Sequence, residues 1–213
     1  MRVTNRAGLP DAIVRAVAAD TYSKGKSDFS VTELLSPPWQ THLRRKHWDD
    51  IEEDASDRIW ALFGQLGHLL IERAAADGDN SKTIFSEKRF TIERLGKKIS
   101  GQIDLCQYDD KGGVGISDFK FVTVFTVKQG EEGRKEWSEQ LNLYAHLARE
   151  HGIDVDWLEI VGVFRDWRKS EVGKEPWYPQ RNVQAIPIKL WSKEKTEAFL
   201  LERVKLHTEE PFD

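Results

Sequence analysis

The sequence of 213 residues contains a single cysteine, Cys106. One cysteine cannot form a disulfide within the chain, and it cannot supply the several thiolates of an iron–sulfur cluster or of a multi-cysteine zinc site. We therefore expect no iron–sulfur cluster, and a lone thiol is compatible with a reducing compartment.

The sequence also lacks long apolar runs and an excess of basic residues. No segment approaches the run of about 20 apolar residues that a membrane-spanning helix needs, and charged residues interrupt the N-terminal apolar segment. These features predict a soluble, cytoplasmic protein that has no membrane partner. The formal net charge of −4 argues against a simple DNA-coating protein. It is compatible with an enzyme whose acidic residues hold metal ions.

The residues that are present are sufficient for one folded domain over 1–213, because 39% of them are hydrophobic. The periodicity predicts helices first, then three strands, a helix, two strands and a final helix that Ser192 caps. Turn residues at Gly96 and 109–113 predict that the three consecutive strands form an antiparallel meander. The fold class that we expect is therefore mixed α/β (α+β) rather than a repeating βαβ fold.

Two aspartates lie inside apolar strands, where this residue type is depleted and costly to bury unpaired. If 109–113 is a five-residue loop, Asp104 lies directly opposite Asp118 on the same face of the sheet. Like charges in such a pair are destabilising. Lys120 points to the same face as Asp118, because side chains alternate along a strand.

Two facing carboxylates beside an ammonium predict a site for a hard divalent cation such as Mg²⁺. Lys120 could orient or deprotonate an attacking water, or stabilise charge on a phosphate. The alternative is that Asp118 and Lys120 decorate the solvated face of an edge strand. A second Asp-x-Lys triplet, Asp109 to Lys111, we interpret as turn chemistry.

Two predicted helices carry polar pairs one turn apart. His68 and Glu72 share a face of the first helix, and Gly64 leaves space beside the histidine. A neutral imidazole could complete a metal site, although a surface His–Glu pair is the alternative. In the helix after the meander, Gln140 and Tyr144 could hold a phosphate or a base edge, or Tyr144 could belong to the core.

Four short motifs occur in a fixed order along the chain: "GQLGH" (64–68), "GQID" (101–104), "DFK" (118–120) and "QLNLY" (140–144). Together with the "SVTELLSPPW" segment before them, they resemble the RecB-type branch of the PD-(D/E)XK nuclease superfamily. The resemblance spans roughly residues 30–163. Ile103 stands where the superfamily name has proline, and the lone Cys106 makes this chain similar to the cluster-free members, including exonucleases that phages carry.

The resemblance implies a restriction-endonuclease-like core, a central mixed sheet flanked by helices, and Mg²⁺- or Mn²⁺-dependent hydrolysis of DNA phosphodiesters. It implies catalytic roles for Lys120, Asp118, Asp104, Gln140 and Tyr144. The implied metal ligands are His68, Asp104, Asp118 and the Phe119 carbonyl. Glu72 and Glu87 are candidates for an additional acidic ligand. The expected organisation is an N-terminal, DNA-contacting helical segment over 1–55 and a nuclease core over 56–213.

The expected partner is DNA. Candidate backbone contacts are Arg44, Arg45, Lys46, Lys128, Arg165 and Arg168, and candidate base-stacking residues are Trp39, Trp48 and Trp167. A recombination or single-strand-binding protein and a second copy of the chain are further partners that we leave open. We expect an exonuclease in DNA recombination, repair or phage replication, located in the host cytoplasm if a phage encodes it. Alternatives are an inactive nuclease-fold binding module, a subunit of a larger nuclease complex, and an unrelated α/β protein with structural carboxylates.

Overall fold

The computed structural model describes residues 1–19, 25–77, 81–129 and 135–209. The helices in these ranges are α1 (Asp11–Ala18), α2 (Val31–Leu35), α3 (Pro38–Lys46), α4 (Ile59–Asp77), α5 (Lys135–Glu150) and α6 (Lys193–Thr208). The strands are β1 (Arg2–Thr4), β2 (Phe29–Ser30), β3 (Glu52–Asp54), β4 (Thr83–Arg94), β5 (Lys97–Tyr108), β6 (Val114–Val122), β7 (Trp157–Phe164) and β8 (Val183–Ile188). A 3₁₀ helix, Ala55–Arg58, precedes α4, and another, Val124–Gln129, follows β6.

A mixed six-stranded sheet organises the molecule. Strands β4, β5 and β6 are antiparallel neighbours, β6 and β7 are parallel, and β7 and β8 are antiparallel. The short β2 runs parallel to the start of β5. The prediction of a mixed α/β fold that contains an antiparallel three-strand meander is therefore confirmed.

Two turns set the register of the meander. Leu95 and Gly96 both have positive φ, 52° and 70°, which is typical of a two-residue type I′ hairpin. The loop 109–113 joins β5 to β6, and the Asp109 carboxylate accepts the amides of Lys111 and Gly113 at 2.8 Å. Tyr108 pairs with Val114 across this loop, so the prediction of a five-residue loop is confirmed.

Helix α5 packs on one face of the sheet through a continuous buried stripe. Leu141, Ala145 and Ala148 are fully buried in the main core. The close approach depends on Gly101 of β5, where an added Cβ would lie 2.8 Å from the Tyr144 ring and 2.7 Å from Leu147. The glycine of the "GQID" motif thus makes room for the helix that carries the "QLNLY" motif.

The N-terminal part of the chain, which was predicted to be helical, also contains three short strands that the sequence pattern did not predict. Strands β1 and β3 form a separate parallel pair. Helix α2 begins with a capping box between Ser30 and Glu33, and it buries Val31 and Leu34 in the main core. Pro38 begins α3 rather than only ending the preceding helix, because proline suits the first helical position.

Helical spacing places Ile59, Leu62, Leu66, Leu69 and Leu70 of α4 on one stripe, and such a stripe predicts a face that packs on the core. In the structure, however, Leu66, Leu69 and Leu70 are 48%, 41% and 64% exposed. Much of this stripe therefore faces solvent instead of the core. Within the described ranges, no helix has both the length and the apolar character that crossing a bilayer requires.

Candidate metal centre

A cavity of about 650 Å³ opens between α4, the meander and α5. Helix α4 contributes mainly apolar side chains to one wall, and the strands contribute charged ones to the floor. The polar side chains that line it are Thr32, Gln65, His68, Glu87, Arg89, Gln102, Asp104, Asp118, Lys120, Gln140 and Tyr144. Most of the residues that the sequence singled out for chemistry thus lie around one cavity.

Three potential metal ligands meet at the floor of the cavity. His68 Nδ1 lies 3.5 Å from Glu87 Oε1 and 3.4 Å from Asp104 Oδ2. One ligand atom from each residue lies within 4.8 Å of the other two. The predicted ligand set included His68 and Asp104, and the structure groups Glu87 with them.

A glycine places His68 at this position. An added Cβ at Gly67 would lie 2.0 Å from the Phe121 ring, so α4 can approach β6 only where this residue has no side chain. The His68 and Phe121 rings then meet edge to face with their centroids 6.1 Å apart. At Gly64, the first glycine of the same motif, an added Cβ would have no described atom within 4 Å.

Glu87 has an unusual backbone conformation for a residue within a strand. Its φ is 45°, in the left-handed region that non-glycine residues rarely adopt. It lies opposite Asp104, between the pairs Ser86–Leu105 and Lys88–Ile103. Gln102 Nε2 donates to Glu87 Oε2 at 2.6 Å. Strained conformations of this kind cluster at functional sites.

Asp118 and Lys120 form the adjoining part of the site. Asp118 is 2% exposed, and its Oδ2 lies 2.6 Å from Lys120 Nζ. The expectation that both side chains point to one face is confirmed. The β5–β6 pairing stops at Leu105–Ser117, and beyond it the Phe119 amide donates to Asp104 Oδ2 at 2.9 Å. A metal contact from the Phe119 carbonyl stays a prediction.

The protonation equilibria reflect crowded negative charge. Burial, followed by the charge of Asp118, raises the pKa of Asp104 to about 7. A hydrogen bond to Glu87 raises the pKa of His68, and the charge of Asp104 adds to that shift. Burial alone would raise the pKa of Glu87, but hydrogen bonds from His68 and Gln102 outweigh it and lower the pKa.

Gln140 and Tyr144 lie together at the edge of the cavity. Gln140 Nε2 donates to the Tyr144 hydroxyl at 2.8 Å, which fixes the relative orientation of the two side chains. Tyr144 is 6% exposed, and its ring rests against Gly101. The pair is therefore held in place, and both side chains line the cavity.

Sequence reasoning missed four polar residues of the cavity wall, Thr32, Gln65, Arg89 and Gln102, and the last two of these interact. Arg89 Nη2 donates to Gln102 Oε1 at 2.8 Å, and Arg89 Nη1 lies 3.3 Å from Ser100 Oγ. Strand alternation could have found both residues, because Arg89 follows Glu87 by two positions and Gln102 precedes Asp104 by two. Arg89 brings a second fixed positive charge to the cavity.

The predicted DNA contacts fall into two groups. Arg45 donates to Glu33 and to the Asp28 carbonyl and lies over the Phe29 ring, so it joins α3 to the α2 region. Arg44 lies over the Trp48 ring, and Lys46 is exposed. Lys128, Arg165 and the exposed Arg168 lie beyond the carboxyl ends of β6 and β7. The side chain of Glu72 is outside the described part of the structure.

Comparison with known proteins supports the fold alone. No protein-family model matches the chain, and no curated protein matches it. Among solved structures, the chain is similar to one described as "Crystal structure of SSO0001", with a TM-score of 0.58 and 15% sequence identity. The match covers 92% of this chain and 85% of that one. At this identity, the similarity extends to the arrangement of helices and strands.

Proposed function

We propose that this protein is a metal-dependent nuclease of the RecB-type PD-(D/E)XK branch that hydrolyses phosphodiester bonds in DNA. The observation that carries the proposal is the convergence of possible metal-ligand atoms beside an Asp–Lys pair on the floor of the cavity. The donor atoms of His68, Glu87 and Asp104 lie within 4.8 Å of one another, and the adjoining Asp118 Oδ2 lies 2.6 Å from Lys120 Nζ. A divalent cation held there would favour the ionised form of Asp104, whose pKa burial and Asp118 raise to about 7.

The donor set suits Mg²⁺ or Mn²⁺. His68, Glu87 and Asp104 would hold the ion through one imidazole nitrogen and carboxylate oxygens, with Asp118 beside them. Mg²⁺ prefers oxygen ligands, whereas first-row transition-metal ions also accept an imidazole nitrogen. Because His68 is one of the ligands, Mn²⁺ is the better probe of this site. A bound ion would lower the pKa of a coordinated water and neutralise charge on the phosphate.

The side chains of the protein supply orientation and hydrogen bonds. Asp118 holds the Lys120 ammonium at 2.6 Å, where it can donate to an attacking water or to a phosphate oxygen. The Phe119 amide fixes the Asp104 carboxylate from the other side. At the cavity edge, the hydrogen-bonded pair of Gln140 and Tyr144 can contact the nucleic-acid backbone.

We further propose exonuclease activity in DNA recombination, repair or phage replication, which the motif resemblance supports. The recessed position of the carboxylates favours entry of a strand end. Asp118 is 2% exposed, and the Asp104 and Glu87 side chains are 12% and 16% exposed. A phosphate in the middle of a continuous duplex would have more difficulty reaching this depth.

The test compares degradation of matched linear duplex, closed-circular duplex and single-stranded DNA with Mn²⁺ and with a chelator. We expect the linear DNA to be degraded only with metal, and Lys120→Ala to lower the rate on the order of 100-fold or more. Lys111→Ala is the matched control, because Lys111 belongs to the second Asp-x-Lys triplet in the exposed loop 109–113. It should retain the wild-type rate.

Each outcome decides between the alternatives. Cutting of the circle would replace exonuclease by endonuclease on the same residues. Mn²⁺ binding without any cleavage would favour the inactive binding module or a subunit of a larger complex. Cleavage that persists in Lys120→Ala would mean that the reaction occurs elsewhere.

A further inference from the structure

A set of exposed rings and cations lies beyond the carboxyl ends of β6 and β7. We name it the aromatic–cation surface and define it as Trp60, Phe63, Phe125, Trp177, Arg165 and Lys128. Trp60, Phe63 and Phe125 are 58%, 55% and 62% exposed. Large rings with this exposure do not contribute fully to the core and are typical of binding surfaces.

Each cation of the surface lies over an aromatic ring. The Arg165 guanidinium lies 4.0 Å from the centroid of Trp60, whose ring is 5.7 Å from that of Phe63. Lys128 Nζ lies 5.4 Å from the Phe125 ring and 5.1 Å from the Trp177 ring. Positive charge and aromatic rings therefore lie next to each other at both of these places.

Backbone contacts hold the two halves of the surface side by side. The Arg165 amide donates to the Val122 carbonyl at 3.0 Å. The Val124 amide donates to Asp166 Oδ1 at 2.8 Å. The segment after β6, which carries Phe125 and Lys128, is thus joined directly to the segment after β7, which carries Arg165.

Helix α4 connects the aromatic–cation surface to the cavity. Leu66 lies one turn from Phe63, is 48% exposed, and also lines the cavity. Trp60 and His68 are eight positions apart on the same helix, about 12 Å along its axis. A strand that crosses the surface along α4 would therefore reach the metal centre after a short distance.

We propose that the aromatic–cation surface binds single-stranded DNA and leads its end into the cavity, an inference that rests on the nuclease function proposed above. A single strand presents base faces that can stack on Trp60 and Phe125, and phosphates that can approach Arg165 and Lys128. A duplex hides its base faces inside the stack, except for the outer faces of its terminal pairs, and so offers these rings much less to stack on. The overall charge of −4 gives no general attraction for DNA, so local cations matter more.

The experiment measures fluorescence anisotropy of labelled oligothymidylate and of a blunt duplex of equal length, with chelator present to prevent turnover. Wild-type protein should bind the single strand more tightly than the duplex. Trp60→Ala and Phe125→Ala should each weaken binding of the single strand about 10-fold. Trp60→Phe retains a ring and should recover most of the affinity. That recovery would attribute the loss in Trp60→Ala to the missing ring and not to a folding defect.

Tyr108→Ala is the matched control. Tyr108 is also an exposed aromatic residue, at 44%, but it pairs with Val114 at the start of β6, at the other end of that strand from the aromatic–cation surface. This variant should bind the single strand within about twofold of wild type. Loss of affinity in Tyr108→Ala equal to that in Trp60→Ala would overturn the assignment.

Two other results would also overturn it. Equal affinity for duplex and single strand, lowered equally by Trp60→Ala, would mean that the surface does not recognise unpaired bases. Sedimentation as a dimer that Trp60→Ala converts to a monomer would make the surface an interface between copies of this chain.

A parallel calorimetric titration with Mn²⁺ separates this inference from the proposed function. If Mn²⁺ does not bind and DNA is not cleaved, the nuclease proposal fails whatever the oligonucleotide data show. If Mn²⁺ binds and DNA is cleaved while the aromatic variants bind like wild type, only the aromatic–cation surface is wrong.

Discussion

Strand β4 contributes one residue to each of two clusters that combine histidine with carboxylates. The first is the candidate metal centre around Glu87. The second, seven residues further along, joins Arg94 to Glu150, Glu197 and His146 of α5 and α6. Arg94 Nη2 lies 2.7 Å from Glu150, Arg94 Nε 2.8 Å from Glu197, and His146 Nε2 2.8 Å from Glu197.

The two clusters differ in the partners of their carboxylates. In the second, the Arg94 guanidinium pairs with both carboxylates, and burial lowers the pKa of His146 despite the nearby Glu197. We call it the balanced cluster, because each of its carboxylates has a guanidinium partner. In the first, Asp118 pairs with Lys120, whereas Asp104 and Glu87 converge on the His68 imidazole at 3.4 and 3.5 Å, and the pKa of Asp104 is raised to about 7. This convergence of donor atoms with a perturbed pKa, rather than the clustering of acidic residues, distinguishes a candidate functional site.

The largest expected effect concerns metal binding. Asp104→Asn should weaken Mn²⁺ binding on the order of 100-fold or more, because it removes a charged ligand that faces His68 at 3.4 Å. Isothermal titration calorimetry measures the affinity. Glu197→Gln, in the balanced cluster, is the control and should leave Mn²⁺ affinity unchanged. Equal losses in the two variants would remove the distinction between the clusters.

The second largest expected effect is a loss of stability when the balanced cluster is disrupted. Arg94→Ala should lower the free energy of unfolding by about 2 kcal/mol, because two carboxylates lose their shared partner. The melting temperature should fall by about 4–8 °C. Arg94→Lys keeps the charge without the two-sided guanidinium, so it should lose less. A melting temperature unchanged in Arg94→Ala would show that the cluster contributes nothing to stability.

The third expected effect is a gain in stability rather than a loss. Asp104→Asn should stabilise the metal-free protein by about 1 kcal/mol near pH 8, because it removes a carboxylate that burial and Asp118 make costly to ionise. An asparagine oxygen can still accept the Phe119 amide hydrogen bond. Thermal melts in chelator test this expectation. A destabilised variant would mean that the Asp104 charge is already compensated without metal.

The sequence supported accurate predictions where the constraint was local. The five-residue loop at 109–113 fixes the register, and the register with side-chain alternation places Asp118 beside Lys120. The order of elements similarly followed from periodicity and turn residues. The mixed sheet could be anticipated because the motif order resembled a known architecture.

The remaining features depend on contacts between residues distant in sequence. That Gly67 rather than Gly64 sets the approach of α4 depends on where Phe121 lies. The grouping of Glu87 with His68 depends on a left-handed backbone conformation inside a strand, which no local pattern indicates. The exposure of Leu66 and Leu70 on α4 cannot be read from helical spacing, because spacing predicts a stripe and not what covers it.

The last expected effect is the pH dependence of stability in the metal-free protein. The pKa of Asp104 is about 7 in the folded state against an ordinary value of 3.8. Between these values the folded protein holds a proton that the unfolded chain has released, so stability falls as pH rises through this window. His68, whose pKa is raised above 6.5, acts in the same direction at higher pH.

The balanced cluster opposes this trend. Because the pKa of His146 lies below 6.5 in the folded state, the unfolded chain binds more protons just below that pH, and stability rises as pH increases to it. The net fall between about pH 5 and 8 should therefore be smaller than the sum of the falls that Asp104 and His68 cause. Melts of wild type, Asp104→Asn and His146→Gln across this range separate the two contributions. Asp104→Asn should reduce the fall, and His146→Gln should steepen it, since each removes the group that drives one of the opposing slopes. Identical pH profiles for all three proteins would mean that neither cluster controls the pH dependence.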